Sequence, residues 1–138
     1  MRVVYDSTSH RAVTFTHQLV RDWHLLVVRG DLTVDNGAPL TGVLQPMVAA
    51  GVRRLIIDLA RTTAIDGPAI HEIAGLHMAL RREGGELRLV VDGVAVLHAM
   101  RAAGLSGQFE IHRYVGDIVG AVEGLDEGGR GRRRSSPA

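Results

Sequence analysis

The sequence predicts a single α/β domain, with a mixed, mostly parallel sheet of about five strands and helices packed against it. Three observations carry this. Short apolar runs alternate with stretches whose apolar residues recur three and four apart, the mark of an amphipathic helix. Gly or Asp-Gly closes most of these stretches, as at Gly51, Gly84-Gly85, Asp92-Gly93 and Gly104. Three of the strand runs are rich enough in apolar residues to look buried on both faces, as central strands of a helix-covered sheet are. Strands alternating with helices argue for parallel neighbours joined by right-handed crossovers.

In chain order, "AVTFTHQ" (12–18) alternates apolar and polar residues and reads as a half-exposed edge strand. "HLLVVRGDL" (24–32) is a β-rich run ending in a turn, and Leu55-Ile56-Ile57-Asp58-Leu59 is a short buried strand. "ELRLVVDG" (86–93) is the next, and "QFEIH" (108–112) a weaker fifth. Between them, residues 36–50 place Leu40, Val43, Leu44, Met47 and Val48 on one helical stripe, with Pro46 expected to kink or divide it. Residues 68–83 repeat the pattern with Ile70, Ile73, Leu76, His77 and Leu80. Residues 94–105 and 114–124 are shorter helices, the last weakened by internal glycines.

At 138 residues the chain fits one domain with a proper core. The boundaries read as an N-terminal segment over 1–11, the domain over 12–124 and a Gly/Arg/Ser-rich tail over 125–138 that lacks the apolar content to fold. There is no Cys, which excludes disulfides and thiolate metal sites. The formal net charge of +1 hides the tail's Arg cluster; the remainder is close to neutral and is not a nucleic-acid binder by charge. No signal peptide and no membrane-length apolar run is present, so a cytoplasmic protein is the expectation. All sixteen basic residues are Arg, a bias of GC-rich genomes.

Few residues ask for catalysis. His71-Glu72 hints at a zinc-protease helix, but the next histidine is His77, about 120° around the helix, so the two imidazoles cannot share a metal. His77 falls on the apolar stripe and reads as a core histidine. The other histidines show no ligand spacing, and no phosphate-binding glycine loop occurs. No cofactor and no metal is expected, and the chain is read as a non-enzyme. The stretch "TTAIDGPAIHEI" (62–73) stands out, because it joins a buried strand to a helix. Asp66 or Gly67 can cap that helix and Pro68 suits its first turn. The same place, at the carboxyl end of a strand, is where open α/β sheets bind partners.

The ordered set "VVRGDLT" (27–33), "RRLIIDLARTTAID" (53–66), "GLHMALRREGGELRLV" (75–90) and "VLHAMRAAGL" (96–105) resembles the STAS domain of anti-sigma factor antagonists, over about residues 12–123. In the bacterial antagonists the loop reads Asp-Ser-Ser-Gly, and a partner kinase phosphorylates the second Ser. Unphosphorylated antagonist binds the anti-sigma factor, and the phosphate's added negative charge abolishes that binding. The resemblance sets Asp66 on the family Asp, Gly67 on the first Ser, Pro68 on the phosphoacceptor and Ala69 on the Gly. Pro68 has no hydroxyl. A second departure is Thr33, where the family turn has Asp.

The resemblance implies a regulatory protein-binding module whose partner is an anti-sigma factor or related switch kinase. Docking would use the start of the second long helix and the loop 60–67, with Asp66, Gly67, Pro68, Ala69, Ile70, Thr33 and Thr63 as contact residues. On that reading Asp66→Lys or Ala69→Arg abolishes binding and leaves the thermal midpoint nearly unchanged. Phosphate control is absent at Pro68; its transfer to Thr62, Thr63 or the tail's Ser135 is the weaker alternative. Self-association stays open, and so does a rival role as an accessory subunit of a membrane transport complex or sensor assembly.

Overall fold

A computed structural model describes residues 2–5, 13–33, 40–104, 107 and 109–123. Its elements are β1 (Arg2–Tyr5), β2 (Val13–Val20), β3 (Trp23–Leu32), α1 (Leu40–Ala49), β4 (Arg54–Ile65), α2 (Gly67–Arg82), β5 (Glu86–Val90), α3 (Val94–Ala102), β6 (Glu110–His112) and α4 (Val115–Glu123). The tail 125–138 lies outside the described residues, as do residues 36–39 of the first expected helix.

The six strands lie in sequence order across one sheet. β1–β2 and β2–β3 are antiparallel, while β3–β4, β4–β5 and β5–β6 are parallel. Three of the five pairings are thus parallel, as the alternation predicts, and β1 adds a strand ahead of residue 12. The order explains the layering. Each crossover from β3 to β6 steps to the next strand in the same direction, so right-handed connections put α1, α2 and α3 on one face. The main core forms there, from Leu26, Val28, Leu55, Ile57 and Leu89 of the sheet against Leu40, Leu44, Ile73, Leu80, Val96 and Met100 of the helices. α4 caps the other face, where Ile118 packs on Trp23, Leu25, Ile56 and Val90.

That second face is thinner and ringed by charge. Trp23 is fully buried, and the Arg54 guanidinium lies 4.4 Å from its ring centre. The Arg88 guanidinium is 5.6 Å away, and both arginines reach Glu86, at 3.6 and 3.1 Å. A cation over the indole face lets the charged heads stay wet while their stems cover apolar surface.

Two expectations change. Pro46 lies inside α1, which is continuous from Leu40 to Ala49; it does not divide the helix. Its ring sits on the exposed face, while Val43, Leu44 and Met47 hold the other face on the core. The stretch 60–67 is also not a loop, because β4 runs on to Ile65 and leaves Asp66 alone between strand and helix.

Candidate functional site

The junction between β4 and α2 is built by two local devices. The first is a pair of register shifts in the β3–β4 ladder. Val27 faces Asp58 but Arg29 faces Arg61, and Gly30 faces Thr62 but Asp31 faces Ala64. Thr63 is therefore an extra, bulged residue. Gly30 sits at the second shift with φ +99°, a conformation that a side chain would strain. The bulge turns Thr63 outward, and its hydroxyl donates to the Asp31 carboxylate. Thr62, one residue earlier, points inward; it is buried and its Oγ1 donates to Val28 O at 3.0 Å.

The second device is the helix start. Asp66 is extended (φ −109°, ψ 175°) and is the N-cap of α2. Its Oδ1 accepts from the Ala69 N–H at 3.1 Å, and its carbonyl accepts from the Ile70 N–H at 3.0 Å. The Asp66 N–H reaches back to Leu32 O at 3.4 Å, tying the cap to the end of β3. Helix starts leave orphan N–H groups, and a carboxylate here satisfies one and complements the positive end of the helix dipole. Pro68 falls in the first turn, where its missing N–H removes no intrahelical bond.

The residues singled out from the sequence therefore divide. Gly67, Pro68 and Thr63 are exposed, and Asp66 and Thr33 are partly so. Ala69 and Ile70 are turned into the main core beside Ile73 and Leu76. Their side chains supply packing to the junction, because positions three and four beyond the cap lie on the apolar stripe. Asp31, two residues before Thr33 and not singled out from the sequence, is brought to the junction by the bulge. A bulge has no strong sequence signal, and Gly30 is its one trace.

Chemically, this edge offers hydrogen-bond acceptors, the exposed Thr63 hydroxyl held on the Asp31 carboxylate, and two exposed residues with little side-chain bulk. Among the described residues, no group of three or more His, Cys, Asp or Glu is placed to hold a metal. None of the helices described is long and apolar enough to cross a membrane.

The described residues thus form a mixed α/β sheet with three helices on one face, a fourth on the other and a capped strand-to-helix junction at its carboxyl edge. The STAS domain profile matches residues 13–118, and the chain belongs to that family. Among solved structures, an anti-sigma factor antagonist from Mycobacterium paratuberculosis is similar with a TM-score of 0.73 at 19% identity, over 85% of this chain and 97% of that one. The Bacillus cell fate determinant SpoIIAA in its phosphorylated form is similar with a TM-score of 0.63 at 15% identity, over 79% and 99%. At these identities the likeness concerns the fold. No curated protein matches by sequence.

Proposed function

We propose that this protein is a regulatory binding module of the anti-sigma factor antagonist kind, engaged through the β4–α2 junction and without a phosphorylation switch at the usual position. The observation that carries this is the junction itself. Asp66 caps α2 with an exposed Gly67-Pro68 pair beside it, and proline stands where the family resemblance sets the acceptor serine. SpoIIAA is known in phosphorylated and unphosphorylated forms; a prolyl side chain has no oxygen to accept a phosphoryl group. Such a module stays competent to bind its partner, an anti-sigma factor or related switch kinase, whatever the kinase does at this position.

Thr62 and Thr63 are poor alternative phosphoacceptors. The Thr62 hydroxyl is buried on Val28 O, and a phosphate on Thr63 would meet the Asp31 carboxylate.

The test is affinity purification of the full chain from its host, with Gly67→Arg as the control. Gly67 is exposed and, its chain neighbours Asp66 and Pro68 apart, a Cβ there meets nothing within 4 Å, so the substitution adds bulk and charge to the contact face without reaching the core. Recovery of an anti-sigma factor or switch kinase by the natural chain, and its loss with Gly67→Arg, is the expected result. Recovery of transporter subunits instead would replace this reading with the accessory-subunit one.

A further inference from the structure

β3 and β4 set two arginines side by side. Arg29 and Arg61 are register partners in this parallel ladder, so their backbones lie about 4.8 Å apart, the spacing of neighbouring strands. Both are exposed. Two-residue alternation puts Arg29 on the same face as Trp23, Leu25 and Val27, and its register partner shares that face. The pair lies beyond the part of this face that α4 covers.

A break in register makes the pair. Val27 faces Asp58, and unbroken pairing from there would set Arg29 against Ala60. One extra β4 residue between Asp58 and Arg61 brings the second arginine across instead. Two like charges this close repel, and nothing nearby offsets the cost. Among the described residues, neither guanidinium makes an ion pair, a hydrogen bond or a ring contact. The carboxylate one row below, Asp58, accepts from the Ala60 N–H at 2.9 Å, and the one in the row above, Asp31, accepts from the Thr63 hydroxyl. Other arginines of the sheet are compensated: Arg54 and Arg88 share Glu86, and Arg53 pairs with Glu83. With both side chains exposed, core packing gives no reason for two facing cations.

We propose that Arg29 and Arg61 together hold a dianionic phosphate group, free or carried as a monoester on a ligand. The chemistry follows from what the row offers. Each planar guanidinium presents paired N–H donors, the geometry that takes phosphate oxygens two at a time. A phosphate monoester carries roughly −1.5 to −2 charges at neutral pH, which matches two cations. A carboxylate, with one charge, leaves the second guanidinium uncompensated. Thr14, the β2 partner of Arg29, adds a hydroxyl to the same row. The pair is separate from Gly67 and Pro68, so this inference does not need an anti-sigma factor as partner.

The experiment uses the full chain, isotopically labelled, at fixed ionic strength. Its probes are inorganic phosphate, capped phosphoserine and, as a one-charge control, capped aspartate. Either phosphate probe is expected to give saturable shifts at the amides of Thr14, Arg29 and Arg61 and at the Nε–H signals of the two arginines. A response to one phosphate probe alone supports the site and names the source of its phosphate. Capped aspartate is expected to bind roughly tenfold more weakly. Arg29→Gln and Arg61→Gln should each weaken phosphate binding by roughly tenfold or more. Arg61→Lys, which keeps the charge but loses the fork, should weaken it too. Stability supplies a second readout. Without phosphate, removing one of two repelling charges should leave each Gln variant's thermal midpoint at or above that of the natural chain. Phosphate should raise the midpoint of the natural chain and not that of the Arg29→Gln, Arg61→Gln double variant, as a ligand of the folded state alone does. Unsaturable shifts, or shifts confined to helix N-termini or to residues 125–138, would overturn the proposal. So would equal binding of aspartate, or full phosphate affinity in the double variant.

Discussion

Asp66 holds the start of α2 through its bond to the Ala69 N–H. Asp66→Ala should therefore lower the unfolding free energy by about 1 kcal/mol, the usual loss of an N-cap, while Asp66→Ser keeps most of it. Urea titration of the three proteins checks this, and equal midpoints for all three would remove the cap from the account. The structure also corrects the expectation that Asp66→Lys and Ala69→Arg spare the fold. Lysine has no acceptor for the Ala69 N–H, and Ala69 is in the core, where an arginine would bury an unpaired charge. Binding at the junction is better probed at exposed Gly67. Two glycines should respond in opposite senses. Gly75→Ala fills open space in a helix and should stabilise by roughly 0.5–1 kcal/mol. Gly85→Ala drives a Cβ into the Arg53 carbonyl and should destabilise by about 2 kcal/mol or more.

At the scale of elements, β4 and α2 form one unit. β4 spans twelve residues, and its bulge sets which of two adjacent threonines faces in. Thr62→Val removes the hydroxyl that meets Val28 O and should cost about 1 kcal/mol by equilibrium unfolding. Thr63→Val alters only the exposed contact with Asp31 and should change stability by a few tenths of a kcal/mol. A larger loss for Thr63→Val than for Thr62→Val would mean that the register is not as described. The amphipathic stripe of α2 and its glycine stop were legible from residue spacing. The strand's length past Leu59 was not, because "ARTTAI" mixes polar and apolar residues without clean alternation, and a bulge breaks the two-residue period that would reveal it.

Across the whole molecule, two partly buried histidines tie stability to pH. Burial, and then His24 beside it, lowers the pKa of His17 from the ordinary 6.5. Burial and then Arg88 lower that of His112, outweighing Glu110 and Asp117. A lowered histidine pKa means that the unfolded chain takes up the proton first. The stability from keeping these rings neutral is complete above pH 6.5 and is lost as pH falls from there toward the folded-state values. Urea midpoints should therefore drop between pH 7.5 and pH 5.5, and a His17→Gln, His112→Gln double variant should show a smaller drop. An unchanged drop would place the titration elsewhere.

Hydrophobic periodicity, glycine stops and Asp-Gly turns determined the order of strands and helices, the parallel character of the sheet and the family resemblance, because these depend on local chain chemistry and its repeat. The absence of a hydroxyl at Pro68 was equally plain, since it is a matter of residue identity alone. Only the tertiary structure decided the rest. Ala69 joins the core beside Ile70, whose place on the apolar stripe was already legible, because α2 docks with that edge of its stripe on the sheet. Asp31 joins Thr63 because a register shift between two strands brings them together. The cleft between α1 and α2, lined by Leu44, Val48, Leu76 and Ala79, exists because helices from either side of β4 pack next to each other on one face of the sheet. Each is a relation between residues far apart in sequence, set by how the elements dock, and no local pattern encodes it.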